Sequence, residues 1–262
     1  MPEVFFDDMS IEFPDPRGRN PRLAVSHVDL HIADREFVCI LGPSGCGKST
    51  VLNVVAGFLK PTEGSMLVDG QVVNRPGPER GVVFQDANIF PWLTVEQNIG
   101  FGPRLRRESS DVVKDRTAQF VERVGLTGFE QHLPLELSGG MRQRVGLART
   151  LINDPSVLLM DEPFGALDAQ TRILMQELLL ELWERDRKTV IFVTHDIDEA
   201  LLLGDRVVVM SASPGRVKEI VDVSLPRPRS FDITSNEEFL EMRRHLMNEL
   251  HSETERAEGI VA

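Results

Sequence analysis

The stretch between residues 42 and 50, GPSGCGKST, constrains this 262-residue chain more than any other. It matches the pattern G-x-x-x-x-G-K-[ST], in which the glycines permit a tight turn whose backbone N–H groups converge on phosphate oxygens. The preceding run Phe37–Leu41 has no polar break, as expected of a parallel strand that is buried on both faces. We therefore predict a strand, a phosphate loop and a helix over about residues 48–58, which together form a site for a nucleoside triphosphate.

The residues of this stretch differ in what they offer to a triphosphate. Lys48 carries a full positive charge for the β- and γ-phosphates, and Ser49 offers a hydroxyl group to Mg²⁺. The alternative is a glycine-rich turn with one solvated lysine. The predicted binding residues are Gly42, Pro43, Ser44, Gly45, Cys46, Gly47, Lys48, Ser49 and Thr50.

Charge and cysteine content restrict the class of protein. The chain has 29 basic and 41 acidic residues and a net charge of −12, so we expect no broad basic surface for nucleic acid, although a local basic patch stays open. Cys39 falls in the predicted buried strand and Cys46 in the phosphate loop, which fits a reducing compartment better than a disulfide framework. No apolar run of about 18 residues and no basic leader segment occurs. We expect a soluble chain in the cytoplasm.

Apolar runs alternate with helical patterns through the second half of the chain. Residues 157–160, 189–194 and 207–210 are predicted as buried strands, separated by helices near 170–187 and 197–203. Strands that alternate with helices imply right-handed βαβ units and a parallel sheet with helices on both faces. The sequence therefore predicts an α/β fold.

Antiparallel and helical segments add to this sheet. Residues 1–35 read as antiparallel strands, and the Asp-Gly pair at 69–70, between two apolar runs, is typical of a two-residue hairpin turn. A mainly helical insert follows over about 86–150, with Ser110 predicted as a helix N-cap and Gly125 as the stop. The apolar face of that helix is predicted to contain Val112, Val113, Phe120, Val121 and Val124.

From residue 213 the chain has no clear strand or helix pattern until a final amphipathic stretch. Phe239, Met242, Leu246 and Leu250 share one face of a final predicted helix. We expect this helix to pack back on its own domain rather than bind a partner, and its tail to fray from about Ser252. The predicted division is one domain over residues 1–225 and an extension over 226–262.

Polar residues follow several of the predicted strands. Gln85, Asp161 and His195 each come after an apolar run, so they are expected at the same sheet edge as the phosphate loop. Asp161 and Glu162 are adjacent carboxylates that point in opposite directions if the backbone stays extended. Asp161 then lies near the Mg²⁺ of the phosphate loop, and Glu162 reaches a water in line with the γ-phosphate. The alternative is a solvated strand end.

A second glycine-containing segment, LSGGMRQR at 137–144, narrows the function further. Ser138 and two glycines at a helix start form a second anion site, through the N-cap, the helix dipole and open backbone N–H groups. One triphosphate does not need two such sites in one subunit.

With this segment, the chain resembles the nucleotide-binding subunit of an ATP-binding cassette (ABC) transporter. The resemblance runs from about residue 3 to 250. Its motifs occur in the family's order: GPSGCGKST at 42–50, Gln85, LSGGMRQR at 137–144, VLLMDEP at 157–163, GALD at 165–168 and His195.

The resemblance implies a P-loop NTPase with a RecA-like core, an antiparallel β subdomain and a helical subdomain, which binds ATP and Mg²⁺. It implies that Glu162 is the catalytic base, that Gln85 touches Mg²⁺ and the attacking water, and that His195 contacts the γ-phosphate. The implied metal-site residues are Ser49, Gln85 and Asp161.

The resemblance also implies a homodimer that closes head to tail around two ATP molecules. In this family, Ser138 and Gly140 correspond to residues that bind the γ-phosphate of the opposite subunit's ATP. Gly139, between them, is included among the expected binding residues. Asp168 acts across the dimer.

Three positions depart from the family pattern. The chain contains no tyrosine, so Phe13 is the candidate for stacking on adenine, although the insert at 14–22 blurs the alignment. Arg35 occupies a turn where glycine is usual, which leaves the type of that turn open. Gly165 stands where serine is common and changes little.

The segment FPWLTV at 90–95 is typical of importers of the nitrate, sulfonate and taurine type, and residues 211–216 and 225–229 resemble the same branch. The implied function is ATP hydrolysis that drives uptake of a small solute through integral membrane permease subunits. A periplasmic or extracellular solute-binding protein completes such a complex, and this chain lies at the cytoplasmic face of the membrane. Phe90 and Trp92 either receive a helix of the permease or fill the core of the helical subdomain.

Two other classes of protein compete with this interpretation. Soluble cassettes that act in DNA repair or on the ribosome usually carry two cassettes or a long coiled-coil insert, and this chain has neither. A metabolic P-loop kinase has no role for residues 138–140 or for His195. ATPase activity that depends on a co-purifying membrane protein separates the transporter from both.

Overall fold

The computed structural model describes residues 2–15 and 20–257. Residue 1, residues 16–19 of the insert at 14–22, and residues 258–262 of the predicted fraying tail lie outside the described residues. The strands are β1 (Val4–Phe13), β2 (Arg22–Ile32), β3 (Phe37–Leu41), β4 (Glu63–Val68), β5 (Gln71–Val72), β6 (Arg80–Val83), β7 (Val157–Asp161), β8 (Thr189–Thr194), β9 (Arg206–Met210) and β10 (Val217–Asp222). The α-helices are α1 (Lys48–Ala56), α2 (Val95–Ile99), α3 (Phe101–Leu105), α4 (Ser110–Arg123), α5 (Gly139–Leu151), α6 (Ala169–Asp186), α7 (Ile197–Leu203) and α8 (Glu237–Ala257). None of these helices is long and apolar enough to cross a membrane.

The larger sheet carries the phosphate loop at the end of its central strand. Its order is β10-β9-β3-β8-β7-β6, with β9, β3, β8, β7 and β6 parallel and β10 antiparallel at one edge. All the residues of β3 are buried between β8 and β9. A strand covered on both faces needs apolar residues throughout, which explains the unbroken run before the phosphate loop. The predicted α/β fold is confirmed.

The smaller sheet is antiparallel, with the order β2-β1-β4-β5. Its inner face belongs to the same core as the parallel sheet, because Val28 and Leu30 cluster with Val38 and Ile40. The residues at 69–70 have φ angles of 53° and 72°, as a two-residue hairpin turn of type I′ requires. The predicted hairpin between β4 and β5 is therefore confirmed.

Left-handed residues set two boundaries near the phosphate loop. Arg35 has a φ of 60° and donates from its backbone N–H to Thr189 Oγ1 at 2.9 Å. The turn before β3 thus keeps a conformation that favours glycine, at a cost of roughly 1 kcal/mol for a side chain there. Helix α1 ends at Ala56, earlier than predicted, because Gly57 adopts a left-handed C-cap with a φ of 78°.

The region between β6 and β7 is mainly helical, as predicted. Helix α2 begins with a full capping box, in which the Thr94 and Gln97 side chains each accept a hydrogen bond from the other's backbone N–H. The buried Asn98 side chain then accepts from Phe90 N and donates to the carbonyls of Phe90 and Leu93. These bonds hold the loop after β6 against α2.

Helix α4 differs from its prediction in two details. Its N-cap is Ser109, and the predicted cap Ser110 is already helical. The prediction is wrong by one position because the helix start is set by the backbone, which is still extended at Ser109, and the Ser109 hydroxyl makes no capping bond. Val112 is exposed rather than on the apolar face, since that face follows Val113. Gly125, with a φ of 64°, ends the helix as predicted.

Helix α8 packs back on the chain, as predicted. Phe239 and Leu246 are fully buried in the core that includes the parallel sheet, and Met242 and Leu250 pack against the same core. Burial of this face stabilises the C-terminal segment as part of the same folded unit.

The prediction that the chain frays from Ser252 is wrong. Helix α8 continues to Ala257, and the Ser252 hydroxyl accepts a hydrogen bond from Lys218 Nζ at 2.7 Å. Glu253 is buried against the same lysine, with Nζ and Oε1 at 2.8 Å. In the sequence, the polar face of the last turns of α8 resembles a solvated surface. In the structure, this face contacts Lys218 of β10.

Arg229 fastens the C-terminal segment to the rest of the chain. Its side chain is buried and donates, over distances of 2.5 to 3.4 Å, to the carbonyls of Leu201, Leu202, Gly204, Val223 and Leu225. Burial lowers the pKa of Arg229 to about 10, which leaves the guanidinium charged at neutral pH. These carbonyls lie at the end of α7 and after β10.

Replacing Arg229 with alanine should lower the free energy of unfolding by about 3 kcal/mol, because buried carbonyls then lose their donor. Arg229→Lys should recover only part of this, since an ammonium cannot reach acceptors spread around a planar guanidinium. Urea denaturation of the full chain measures both variants. Arg244→Ala, at an exposed position of α8, is the control. Equal effects of Arg229→Ala and Arg244→Ala would contradict this role.

Candidate functional site

The phosphate loop joins β3 to α1 through left-handed glycines. Gly45 and Gly47 have φ angles of 77° and 97°, which a side chain would disfavour. Lys48, the first residue of α1, donates from Nζ to the carbonyls of Gly42 at 2.8 Å and Pro43 at 3.1 Å. The lysine ammonium therefore lies inside the curve of the loop.

The loop is also packed closely against its neighbours. A Cβ on Gly42 would lie 2.8 Å from Cys46 Sγ, and one on Gly47 would lie 2.6 Å from Val25 Cγ2 of β2. Burial raises the pKa of the Cys46 thiol, so it stays protonated and packs as a small apolar group. The glycines are needed for space as well as for the turn.

Ser49 and Asp161 meet at the edge of the sheet, where sequence analysis places the metal. Ser49 Oγ donates to Asp161 Oδ1 at 2.9 Å. Burial raises the pKa of Asp161, and the bond from Ser49 opposes that rise. A carboxylate and a hydroxyl are hard oxygen donors of the kind Mg²⁺ prefers, and this cation usually takes its remaining ligands from phosphates and water. The residues present therefore fit Mg²⁺ that arrives with a triphosphate.

Glu162 points away from Asp161 because of a left-handed backbone turn that the sequence pattern did not predict. Glu162 has a φ of 44°, so the extended backbone assumed in the prediction ends there. Its N–H donates to the carbonyl of Val193 at 2.9 Å, and its Oε2 lies 2.9 Å from His195 Nδ1. This left-handed turn directs one carboxylate to Ser49 and the next to His195.

Gln85 lies close to this pair. A Cβ on Gly165 would be 3.4 Å from Gln85 Nε2 and 3.8 Å from Glu162 Oε2. The buried Gln143, on α5, donates from Nε2 to the backbone carbonyl of Gln85. Gln143 was not among the predicted site residues, although it lies within the segment at 137–144.

A cavity of about 470 Å³ opens in front of the phosphate loop. It is lined by Phe13, Arg22, Ala24, Ser44, Gly45, Gly47, Lys48, Ser49, Thr50 and Glu162. The Phe13 ring, at the end of β1, is 38% exposed. A partly exposed aromatic ring beside a phosphate loop can stack on a planar base. Arg22, at the start of β2, was not among the predicted residues.

The second predicted anion site, residues 138–140, does not line this cavity in the part of the chain that the structure describes. Ser138 is the N-cap of α5, and its Oγ accepts from Met141 N at 3.3 Å. A Cβ on Gly140 would lie 2.5 Å from Thr171 Cγ2, whereas one on Gly139 would meet nothing closer than 3.8 Å. Gly140 is needed for packing against α6, and Gly139 leaves the helix start open.

Asp168 is the N-cap of α6. Its carboxylate accepts from Thr171 N at 3.0 Å and from Thr171 Oγ1 at 2.7 Å. These bonds, first among them the one from the backbone N–H, lower the pKa of Asp168. Capping accounts for an aspartate at this position within one chain, and a role across a dimer stays a prediction.

A buried carboxylate that was not predicted from the sequence, Glu199, lies near His195. Glu199 accepts from Thr194 Oγ1 at 2.5 Å and from Gln176 Nε2 at 3.0 Å. Burial raises the pKa of Glu199. The network joins the end of β8, next to His195, to helices α6 and α7. In the sequence Glu199 looks like an ordinary surface acid of a helix, so no pattern identifies it.

The family model described as ABC transporter matches residues 25–165, more than half of the chain. The matched range contains the phosphate loop, Gln85, the segment at 137–144 and the two adjacent carboxylates. His195 follows it.

Curated relatives are similar along most of the chain. An uncharacterized ABC transporter ATP-binding protein of Methanocaldococcus jannaschii is 51% identical over 230 residues, which cover 88% of this chain and 85% of the relative. The aliphatic sulfonates import ATP-binding protein SsuB of Bacillus cereus is 46% identical over 225 residues, which cover 86% of this chain and 87% of the relative.

Solved structures share the fold. A dimeric ATP-binding cassette in a post-hydrolysis state, bound to ADP and Pi, matches with a TM-score of 0.73 and 34% identity over 85% of this chain and 100% of that chain. A component of the cbiONQ ABC transporter complex from Clostridium perfringens matches with a TM-score of 0.74 and 28% identity over 94% and 98%. With its phosphate loop, paired carboxylates and cassette fold, this chain belongs to the ABC transporter family as an ATP-binding and ATP-hydrolysing cassette.

Proposed function

We propose that this cassette drives uptake of a small anion of the nitrate, sulfonate or taurine type through partner permease subunits. The observation that carries the site assignment is the placement of the Ser49–Asp161 pair next to the Glu162–His195 pair, at 2.9 Å in each case. The aliphatic sulfonates import protein of Bacillus cereus, at 46% identity, and the segment at 90–95 support the solute class.

In this proposal the phosphate loop and Phe13 hold the nucleotide. Backbone N–H groups of the loop and the Lys48 ammonium bind the phosphates, and the Phe13 ring stacks on adenine. Ser49, Asp161 and Gln85 are the residues that would hold Mg²⁺. When bound, Mg²⁺ neutralises charge on the β- and γ-phosphates.

Glu162 and His195 act on the water and the γ-phosphate. The water oxygen attacks the γ-phosphorus, its proton passes to the Glu162 carboxylate, and the bond to the bridging oxygen of ADP breaks. His195, hydrogen-bonded to Glu162, orients that carboxylate and reaches the γ-phosphate. Gln85, whose carbonyl is held by Gln143, places its side chain near the attacking water.

A second copy of the chain completes each ATP site in this proposal. Ser138, Gly139 and Gly140 form an open helix start away from the chain's own nucleotide cavity. In a head-to-tail homodimer they bind the γ-phosphate of the partner's ATP, and Asp168 acts across the same interface.

The permease partner places the cassette at the cytoplasmic face of the membrane. Trp92 is 71% exposed, which favours a docking role over core filling for that side chain. A solute-binding protein on the other side of the membrane delivers the anion. We also propose the division into a cassette domain over residues 1–225 and a C-terminal extension over 226–262.

Glu162→Gln should retain ATP binding and lower hydrolysis by about 100-fold or more, because an amide fits the same pocket but does not accept the proton of the water. ATP binding and phosphate release would be measured on the purified complex. Glu181→Gln, at an exposed position of α6, is the matched control. Turnover by Glu162→Gln at the parent rate would show that the base lies elsewhere.

If each ATP site is formed by two subunits, mixed dimers with differently placed substitutions should retain different amounts of ATP. If one subunit carries Lys48→Ala and the other Ser138→Arg, both lesions fall in one site and the second site stays whole. If one subunit carries both substitutions, each site contains one lesion. The first dimer should therefore retain more ATP than the second.

Occluded ATP per dimer would be counted with Glu162→Gln in both subunits, so that hydrolysis does not empty the sites. If each ATP site is instead formed by one chain alone, the order of retained ATP is reversed, because the unchanged subunit keeps a complete site. More ATP in the dimer that has both lesions in one subunit would contradict sharing.

Vesicles that contain the cassette, its permease and its binding protein should take up labelled taurine, alkanesulfonate or nitrate when ATP is supplied inside. Trp92→Ala should reduce uptake more than it reduces ATP affinity, since the ring is exposed and distant in sequence from the phosphate loop. Glu162→Gln is the control for dependence on hydrolysis. Uptake of none of these anions would contradict the solute class, and equal loss of uptake and ATP affinity in Trp92→Ala would contradict docking.

A further inference from the structure

The loop between β9 and β10, residues 211–216, forms a strap behind the phosphate loop. The Gly215 backbone lies so close to the loop that a Cβ at this position would be 1.8 Å from the carbonyl oxygen of Cys46. Gly215 also donates to the carbonyl of Ala24 and accepts from Ser26 N, both at 2.9 Å. The strap therefore fastens the phosphate loop to β2.

The far end of the strap is held by the Glu253 side chain of α8. Glu253 is 1% exposed, and its Oε2 accepts from the backbone N–H of Ala212 at 2.9 Å. Its Oε1 pairs with Lys218 Nζ at 2.8 Å and with Arg256 at 3.0 Å. Burial alone would raise the pKa of Glu253, but hydrogen bonds from Lys218 and Ala212 outweigh burial and lower it. The carboxylate is thus charged, buried and directed at the strap.

The strap closes on itself without Glu253. Ser211 N donates to the carbonyl of Arg216, and Arg216 N donates to Ser211 Oγ, at 2.9 and 3.0 Å. Removing the carboxylate therefore leaves the loop formed but releases its attachment to α8. The segment that contacts the phosphate loop at Gly215 would then be able to shift more easily.

We propose that Glu253 is a positioning residue that sets the affinity of the phosphate loop for ATP by fixing the strap behind it. This rests on the proposed binding of ATP by residues 42–50. The N–H groups of the loop must point at phosphate oxygens together, and a shift of Cys46 or Gly47 disturbs several of these bonds at once. The turn of α8 predicted to fray would in this way contribute to nucleotide binding.

Three substitutions of Glu253 separate its functions. Glu253→Ala removes the acceptor and the charge, and Glu253→Asp keeps the charge but is too short to reach Ala212 N. Glu253→Gln keeps an acceptor oxygen at full length. We expect ATP affinity to fall about fivefold in the alanine and aspartate variants and to stay within twofold of the parent in the glutamine variant. Glu255→Ala, on the same turn but paired with the exposed His251, is the control.

Dissociation constants for ATP would be measured by calorimetry on the full chain, with thermal unfolding to show that each variant is folded at the temperature used. ATPase assays on the complex should give a raised KM with an unchanged kcat, a split that a loss of stability does not produce. Should Glu253→Ala not fold, the comparison of Glu253→Asp with Glu253→Gln decides.

The outcomes distinguish this proposal from the proposed function. If the parent binds ATP no better than a Lys48→Ala variant, the assignment of the phosphate loop is wrong. If the parent binds ATP and all three Glu253 variants bind it equally well, the role of Glu253 is wrong. Equal losses in the glutamine and alanine variants would also overturn it, because the acceptor oxygen would then not matter.

Discussion

The phosphate loop is held between the Val25 side chain of β2 and the backbone of Gly215, and at both contacts a glycine stands where a Cβ would clash. Gly47 lies against Val25 of β2, and the Cys46 carbonyl lies against Gly215 after β9. Strand β2 belongs to the antiparallel sheet and β9 to the parallel sheet, so the shape of the loop depends on both sheets being in place. Interiors packed at this density pass small shifts from one element to the next. This explains how elements far apart in the sequence contribute to one triphosphate site.

The chemistry at the sheet edge depends on a change of backbone direction. Strand β7 delivers Asp161 to Ser49, and the left-handed turn at Glu162 then carries the second carboxylate to His195. Beneath this pair, Glu199 ties the end of β8 to helices α6 and α7 by buried hydrogen bonds. A fully bonded buried network of this kind is rigid, because each broken bond leaves a desolvated polar group. The proposed base Glu162 and its partner His195 therefore lie next to a rigid part of the structure.

Helix α5 connects the two predicted anion sites. Its N-cap is Ser138, and one turn later Gln143 holds the backbone of Gln85 beside the carboxylate pair. In the proposed dimer, a phosphate of the partner's ATP at the start of α5 would be linked through this helix to Gln85, which is proposed to lie near the attacking water of the chain's own site. The same helix start packs on α6 through Gly140. Within the described chain, residues 138–140 do not line the nucleotide cavity, and helix α5 connects them to Gln85 through Gln143.

Sequence patterns alone determined the phosphate loop, the buried parallel strands, the hairpin and the edge at which Gln85, Asp161 and His195 gather, because each depends on local spacing or on strand direction. They did not distinguish Ser109 from Ser110 as a cap, since the two residues are identical and only the backbone conformation separates them. The turn at Glu162, the burial of Glu199 and the contact of Glu253 with the strap were decided only by the tertiary structure. A carboxylate on a helix has the same local pattern whether it meets water or a distant loop, and long-range packing alone settles which.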